Sequence, residues 1–384
     1  MKILQVTNIV SHHQLPLARE LCSLVGADNF RFAAMHGLDQ SRFESGWKSD
    51  YPERWIIRPG ENDADLAEFE NFWINADVVL CGERLIGKML ERVANKKLCF
   101  YMSERWWKPP IWALRLLQPS FLKMAFQFRM LSKNEYFHYL PTGPFAARDI
   151  ALFTSMGKRT WRWGYFTDTP GVNRRSILYE QHEEPSTPLK VLWIGRMLGW
   201  KRVDLLIKAI SKINGGKKRV HLTLVGNGPE RQKLEKLAAN LLETADFTFT
   251  EVIPSSEVPE IMMQHDIYVL PSSSYEGWGA VVNEALSVGC AVIASDKTGA
   301  GQAMITDGHN GLLFRSGSVS DLTRCLRTLL ENHQTRIKIS EQAIREYSEH
   351  WSPSVAARKF LEVSEDLLLS GNGTRFSKGP MGSL

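Results

Sequence analysis

The sequence predicts an α/β protein with two doubly wound parallel sheets. Three observations predict it. Short apolar runs alternate with stretches of helix formers along most of the chain. The 384 residues, 43% hydrophobic and 23% charged, are enough for two domains with cores of their own. A polar, Pro-rich stretch at 171–188 separates two halves, and each half opens on an apolar strand. The expected boundaries are therefore a first domain at 1–170, a linker at 171–188 and a second domain at 189–350. A last helix, 351–369, is expected to cross back to the first domain, and the Gly- and Ser-rich tail that follows it, 370–384, is expected to be disordered.

In the first half, residues 2–7 read as the first strand and Leu15 to Val25 as a helix. The loop between them holds Ser11-His12-His13-Gln14 instead of the Gly-rich dinucleotide fingerprint, which disfavours a nicotinamide site. His12 and His13 are either cleft residues or a surface pair. Adjacent His residues rarely reach one ion, and no carboxylate or Cys follows at ligand spacing, so no metal site is expected. Arg31 to Met35 is a second strand, and 36–65 reads as irregular and charged. Asp63-Ala-Asp65 follows Pro59-Gly-Glu-Asn, so these acids read as a helix start. Asn75 to Cys81, the helix Glu83 to Ala94 and Lys97 to Met102 continue the alternation. Ser103-Glu104-Arg105 then sits at a strand's carboxyl end, where open α/β sheets bind ligands. Glu104 is a candidate acceptor-side base, or else the ion-pair partner of a nearby Arg.

Residues 105–134 carry six Lys or Arg and no acid, with Trp106, Trp107, Trp112, Phe121, Phe126 and Phe128 interleaved. Such a segment can lie on an anionic membrane surface, or be core helices whose cations reach outward. Pro119 is expected to split it into two helices. A helix around Ala146 to Met156 and a last strand, Arg162 to Phe166, close this half.

The second half opens on the strand Leu189 to Gly195. Arg196 follows at its carboxyl end and Lys201 five residues later, before a helix at Val203 to Ile213. Two cations in a strand-to-helix loop suit a diphosphate; alternatively they are surface charges. His221 to Pro229 is a strand and Gly turn, in which Gly226 gives room beside a ligand or serves the turn alone. Phe247 to Ile253 is the next strand. Asp266 to Leu270 leads into Pro271-Ser-Ser-Ser-Tyr-Glu276-Gly-Trp-Gly279, and a helix runs from Ala280 to Val288 with Gly289 as its stop. One strand-to-helix crevice thus offers Glu276 and Glu284. A carboxylate suits the vicinal hydroxyls of a sugar or ribose and repels phosphate. Gly277 and Gly279 let backbone N–H groups approach a ligand. The strand 289–294, a loop at Thr298 to Gln302, a turn and strand at 305–314 and helices at 319–332 and 335–347 complete this half.

Glu276-Gly-Trp-Gly279 with Glu284-Ala, followed by Gly289-Cys-Ala-Val-Ile-Ala294, resembles the signature of retaining glycosyltransferases of family 4, the glycosyl transferases group 1. The resemblance covers 190–315 well and the first half loosely. It implies a GT-B fold, with two Rossmann-like domains facing across a cleft. It implies that Glu276 contacts the donor sugar and Glu284 the ribose, with Trp278 and Gly226 beside the donor. Gly195-Arg196-x4-Lys201 resembles the family's diphosphate site, with Arg202 standing where Gly is frequent. It further implies metal-independent transfer from a nucleotide-sugar donor, with no cofactor, to a glycan or lipid-linked glycan acceptor held by the first domain. Members frequently carry a His near Ser103-Glu104, which this sequence lacks. A phosphorylase or epimerase of similar fold, or a silent nucleotide-sugar scaffold, are the alternatives.

The net charge of +5 does not imply a nucleic-acid partner. Five scattered Cys without C-x-x-C suggest reduced thiols. With no signal peptide and no apolar run of membrane-spanning length, the expected location is cytoplasmic, peripheral to the membrane if 105–134 binds it.

Overall fold

A computed structural model describes residues 1–43, 46–48, 51–106, 118–168, 188–214 and 220–384. The chain divides into two compact units. The first holds 1–39, 48–167 and 353–384, and the second holds 40–47 and 168–352.

The first unit is built on β1 (Ile3–Thr7), β2 (Phe30–Ala34), β3 (Ile56–Ile57), β4 (Val78–Cys81), β5 (Leu98–Ser103) and β6 (Phe137–Pro141). They form one parallel sheet in the order β3-β2-β1-β4-β5-β6. β1 and β4 are buried at every position, as strands covered on both faces must be. The chain reverses direction across the sheet between β1 and β4. The loop after β1, carrying His12 and His13, leaves at that switch point. Helices Leu15–Val25 and Pro353–Ser370 pack together on this unit. Phe360 of the latter lies 5.0 Å from the Phe100 ring and 5.8 Å from the Trp163 ring. Buried Arg92 donates to the carbonyls of Trp73, Ala76, Asp77 and Leu98, which ties two helix ends to β5.

Three expectations change here. Arg162 to Phe166 is not a strand: Trp163 makes an isolated bridge to Thr142, and Thr160, just before the segment, makes another to Tyr139. The two-residue strand β3 lies within 36–65, too short to show in any periodicity. The stretch 370–384 is not a loose tail. Phe376 bridges Gly382, Met381 is fully buried, and the Met381 N–H donates to the Arg162 carbonyl at 2.9 Å. The Arg162 guanidinium in turn donates to the carbonyls of Ser377, Gly379 and Ser383. The Arg375 guanidinium stacks 4.1 Å from the Trp161 ring. A Gly- and Ser-rich composition is outweighed because two arginines and one Met find fixed partners.

Asp63 and Asp65 do start a helix, Asp63–Asn75. The Asn62 side chain caps it by accepting from the Asp65 N–H at 2.8 Å. In the segment 105–134, residues 107–117 lie outside the described residues. Pro119 is the first residue of the helix Pro119–Leu131. The expected linker at 171–188 also falls almost wholly outside the described residues.

The second unit holds β7 (Leu189–Ile194), β8 (Val220–Val225), β9 (Phe247–Thr250), β10 (Ile267–Leu270), β11 (Ala291–Ser295) and β12 (Leu312–Phe314). Their order is β12-β11-β10-β7-β8-β9, again parallel throughout. The switch point lies between β7 and β10. Those are the two strands whose following loops carry Arg196 and Lys201, and Glu276.

Candidate donor site in the second unit

The loop after β7 makes a short 3-10 turn, Gly199–Lys201, before the helix Val203–Asn214. The loop after β10 runs from Pro271 to Ala280 and enters the helix Val281–Ser287. A backbone hydrogen bond joins the two loops, from Ser273 N–H to the Trp200 carbonyl at 2.9 Å. Residues distant in sequence therefore meet at the switch point. Lys201 Nζ lies 2.5 Å from Glu276 Oε2, with both side chains largely buried. The hydroxyl of Ser272, itself fully buried, donates to the same oxygen at 2.9 Å. Both bonds fall on Oε2, and Oε1 has no hydrogen-bond partner among the described residues. An acceptor fixed on one oxygen and open on the other can take a hydroxyl in one orientation. Lys201 also lies 4.5 Å from the Trp200 ring centre.

Arg196 is exposed, and its side chain makes no ion pair or hydrogen bond among the described residues. It stands in the same loop after β7 as Lys201. Glu284 sits in the helix after the loop at 5% exposure, and burial pushes its carboxyl up to about 8. At neutral pH it is therefore largely protonated, able both to donate to and to accept from a diol. Tyr268 on β10 is fully buried, with a hydroxyl that has no hydrogen-bond partner among the described residues. Burial first, then the charges of Glu276 and Glu284, push its pKa well above the ordinary tyrosine value.

Two expected donor contacts have other roles. Trp278 is 1% exposed and points into the core, donating to Asn283 Oδ1 at 2.8 Å and lying 5.7 Å from the Trp351 ring. It braces the Glu276 loop from behind, because an indole that large is more stable buried with its N–H satisfied. Gly226 is glycine for packing: with φ at +125°, a Cβ there would lie 2.1 Å from the Gly195 carbonyl oxygen. Gly279, with φ at +95°, leaves no room for a Cβ against Leu270, so it sets the sharp turn between Glu276 and the helix. Gly277 lies in the same loop, between Glu276 and the buried Trp278. Ser272 was missed by sequence reasoning. Its signal was its place four residues before Glu276, which only a turn can convert into contact.

The first unit's candidates cluster by themselves. The His12 and His13 rings are 3.8 Å apart, and His13 lies 5.9 Å from the Tyr165 ring. Tyr165 donates to Glu104 Oε1 at 2.9 Å. Burial lowers His12 to about 4, so its ring is neutral. Glu104 is not paired with its neighbour Arg105, whose guanidinium instead holds Asp149 at 2.9 Å in a buried pair. The adjacent position points the other way along the chain, so proximity in sequence misleads here.

Residues 175–346 match the family described as glycosyl transferases group 1. Over 261 residues the chain is 28% identical to a sulfoquinovosyl transferase of Arabidopsis thaliana, covering 66% of this chain and 46% of that one. Over 167 residues it is 27% identical to the GDP-mannose-dependent alpha-(1-6)-phosphatidylinositol monomannoside mannosyltransferase of Mycolicibacterium smegmatis, covering 42% and 43%. The chain spans about half the length of the curated relatives it matches first, between 46% and 50%. Among solved structures it is similar to Anabaena HepE in complex with UDP, with a TM-score of 0.70 and 17% identity over 96% of this chain and all of that one. The two parallel six-stranded sheets are those of the GT-B fold, and residues 175–346 are similar to the glycosyl transferases group 1 family.

Proposed function

We propose that the protein is a retaining glycosyltransferase that moves a sugar from a nucleotide diphosphate sugar to a glycan acceptor without a divalent metal. The observation that carries this reading is the Lys201–Glu276–Ser272 constellation beside the unpaired Arg196 at the switch point of the second sheet. Arg196 and Lys201 would neutralise the diphosphate as the bond between the sugar's anomeric carbon and the phosphate oxygen breaks. Glu276 Oε1 would receive a sugar hydroxyl, and Glu284 would take the ribose diol. The acceptor oxygen would attack on the face the diphosphate leaves, its proton passing to a departing phosphate oxygen. HepE, of similar fold, was solved with UDP, and the mycobacterial relative is named for GDP-mannose; both are consistent with a nucleotide-linked donor. His12, His13 and Glu104 are the acceptor-side candidates.

The acceptor is read as lipid-linked, in cell-surface polysaccharide assembly at the inner face of a membrane. Support comes from the helix Pro119–Leu131. Phe121, Ala125, Phe128 and Leu131 face the core, while Leu122, Phe126 and Met130 form an exposed apolar row beside Lys123, Arg129 and Lys133. No helix among the described residues is long and apolar enough to cross a membrane.

A thermal-shift series with UDP, GDP and their sugar conjugates, with and without EDTA, tests the donor reading. One nucleotide should stabilise the wild type by about 2.7 kcal/mol at a hundredfold excess over its Kd. The shift should survive EDTA and vanish in Arg196→Ala. A shift that EDTA abolishes would overturn metal independence, and no shift with any nucleotide would overturn the donor site.

A further inference from the structure

The turn that carries Lys201 has a second face. Leu198, Gly199 and Arg202 line a groove of about 510 Å³, whose other walls are the start of the helix Val203–Asn214 and the helix Arg231–Leu241. That volume is in the range of small-molecule sites. Its floor is apolar: Val203 and Leu234 are buried, and Leu237 is partly so. Its rim is cationic, with Arg202, Lys208, Lys233 and Lys236 set against Asp204 and Glu230. The two carboxylates are already engaged. Asp204 accepts from Arg202 at 2.9 and 3.2 Å and from Lys208 at 3.1 Å, and Glu230 pairs with Lys233 at 3.0 Å. Lys236 is exposed and has no ion-pair partner among the described residues. The rim is therefore left with positive charge over an apolar floor.

Arg202 links this groove to the donor loop. Its φ is +53°, a left-handed conformation that a residue with a side chain adopts only when its surroundings hold it. Arg202 directly follows Lys201, its N–H donates to the Gly199 carbonyl at 3.3 Å, and its guanidinium forks onto Asp204. An anion that drew the Arg202 guanidinium from Asp204 would act on the residue next to the turn Gly199–Lys201, which carries the Lys201–Glu276 contact.

We propose that the groove between Leu198–Asp204 and the helix Arg231–Leu241 is a second ligand site, which takes a small phosphate ester with an apolar body and is coupled through Arg202 to the donor loop. Such a ligand matches both surfaces: phosphate to Lys233, Lys236 and Arg202, and hydrocarbon to Val203, Leu234 and Leu237. The groove stands on its own geometry; the coupling rests on the donor reading of Arg196 and Lys201.

The test titrates phenyl phosphate into the full-length protein by calorimetry, with inorganic phosphate as the comparison. Wild type should bind phenyl phosphate at millimolar concentration and more tightly than inorganic phosphate. The double variant Lys233→Ala/Lys236→Ala, both residues exposed, should bind it about tenfold or more weakly, as loss of charge-assisted contacts requires. Arg196→Ala should bind it as wild type does. Wild-type binding that disappears in Arg196→Ala would put the phosphate in the donor loop and overturn the groove. Equal binding by the double variant, or none by wild type, would overturn it as well. Saturating UDP should change the phenyl phosphate affinity, and phenyl phosphate should change that of UDP by the same factor. Unchanged affinities with UDP bound would overturn the coupling alone. Failure of UDP to bind at all would be read as failure of the donor assignment, with the groove titrations still decisive for the groove.

Discussion

At the residue scale, the donor-site candidates act through a few directed contacts. Ser272 is a positioning residue: it touches Glu276 and, in the proposed reaction, no reacting atom. Ser272→Ala should raise the donor KM about tenfold with a smaller effect on kcat, because a hydrogen bond to a charged group contributes about 1.5–3 kcal/mol. Ser272→Thr, which keeps the hydroxyl, should recover part of that loss. A merely structural serine would instead lower Tm in both variants with unchanged KM. Glu284 makes a separate prediction. Its folded-state value is near 8 and its ordinary value near 4.5, so the folded protein holds a proton that the unfolded chain releases within that window. The stabilisation is complete below the lower value and is lost as pH rises to the upper one, with a slope of at most about 1.4 kcal/mol per pH unit. Glu284→Gln should flatten stability against pH between those values in chemical denaturation. An unchanged slope would mean the carboxyl is not the group that titrates.

At the element scale, the helix Pro119–Leu131 carries two apolar faces where a soluble core helix needs one. The inward face packs in an aromatic cluster, with Phe128 lying 4.8 Å from the Trp106 ring and Phe121 5.6 Å from the Phe153 ring. The outward row, with Phe126 at 65% exposure, has no comparable reason to be apolar. Phe126→Asp should leave Tm unchanged and abolish sedimentation with vesicles that contain anionic lipid. Phe128→Asp would unfold the cluster and serves only as the contrast. Vesicle binding that survives Phe126→Asp would remove this helix from any membrane role. The helix boundaries themselves were mostly legible. Pro119, the Asn62 cap and Gly289, with φ at +72° just past the helix Val281–Ser287, are local signals that need no tertiary contact. The strand β3 was not legible, since two residues carry no period.

At the scale of the whole molecule, the chain's end belongs to its beginning. Pro353–Ser370 packs on Leu15–Val25, and the last residues cover Trp161 and satisfy Arg162. Removing 371–384 strips the Arg162 side chain of the Ser377, Gly379 and Ser383 carbonyls, takes Arg375 from the Trp161 ring and removes the fully buried Met381. The truncated protein should lose about 2–4 kcal/mol in denaturant unfolding, from a few hydrogen bonds and one buried apolar side chain. A truncation with wild-type stability would show that the tail only rests on the surface.

What the sequence by itself determined is the set of features written in neighbouring residues. The apolar runs of β1, β4, β7 and β10, the helix that carries Glu284, and the loops that carry Arg196, Lys201 and Glu276 could all be read from local pattern, and the parallel sense of the sheets followed from the alternation of strand and helix, though the order of their strands did not. Tertiary structure alone decided which side chains meet. Lys201 and Glu276 are 75 residues apart and form one ion pair. Trp278 turns inward, Glu104 takes Tyr165 in place of Arg105, and 370–384 docks on Arg162 although its composition reads as loose. The physical reason is the same in each case: a strand or helix is specified by the period of its own residues, whereas a contact is specified by two backbones brought together. That second choice rests on burial and hydrogen-bond satisfaction, which no local stretch of sequence contains.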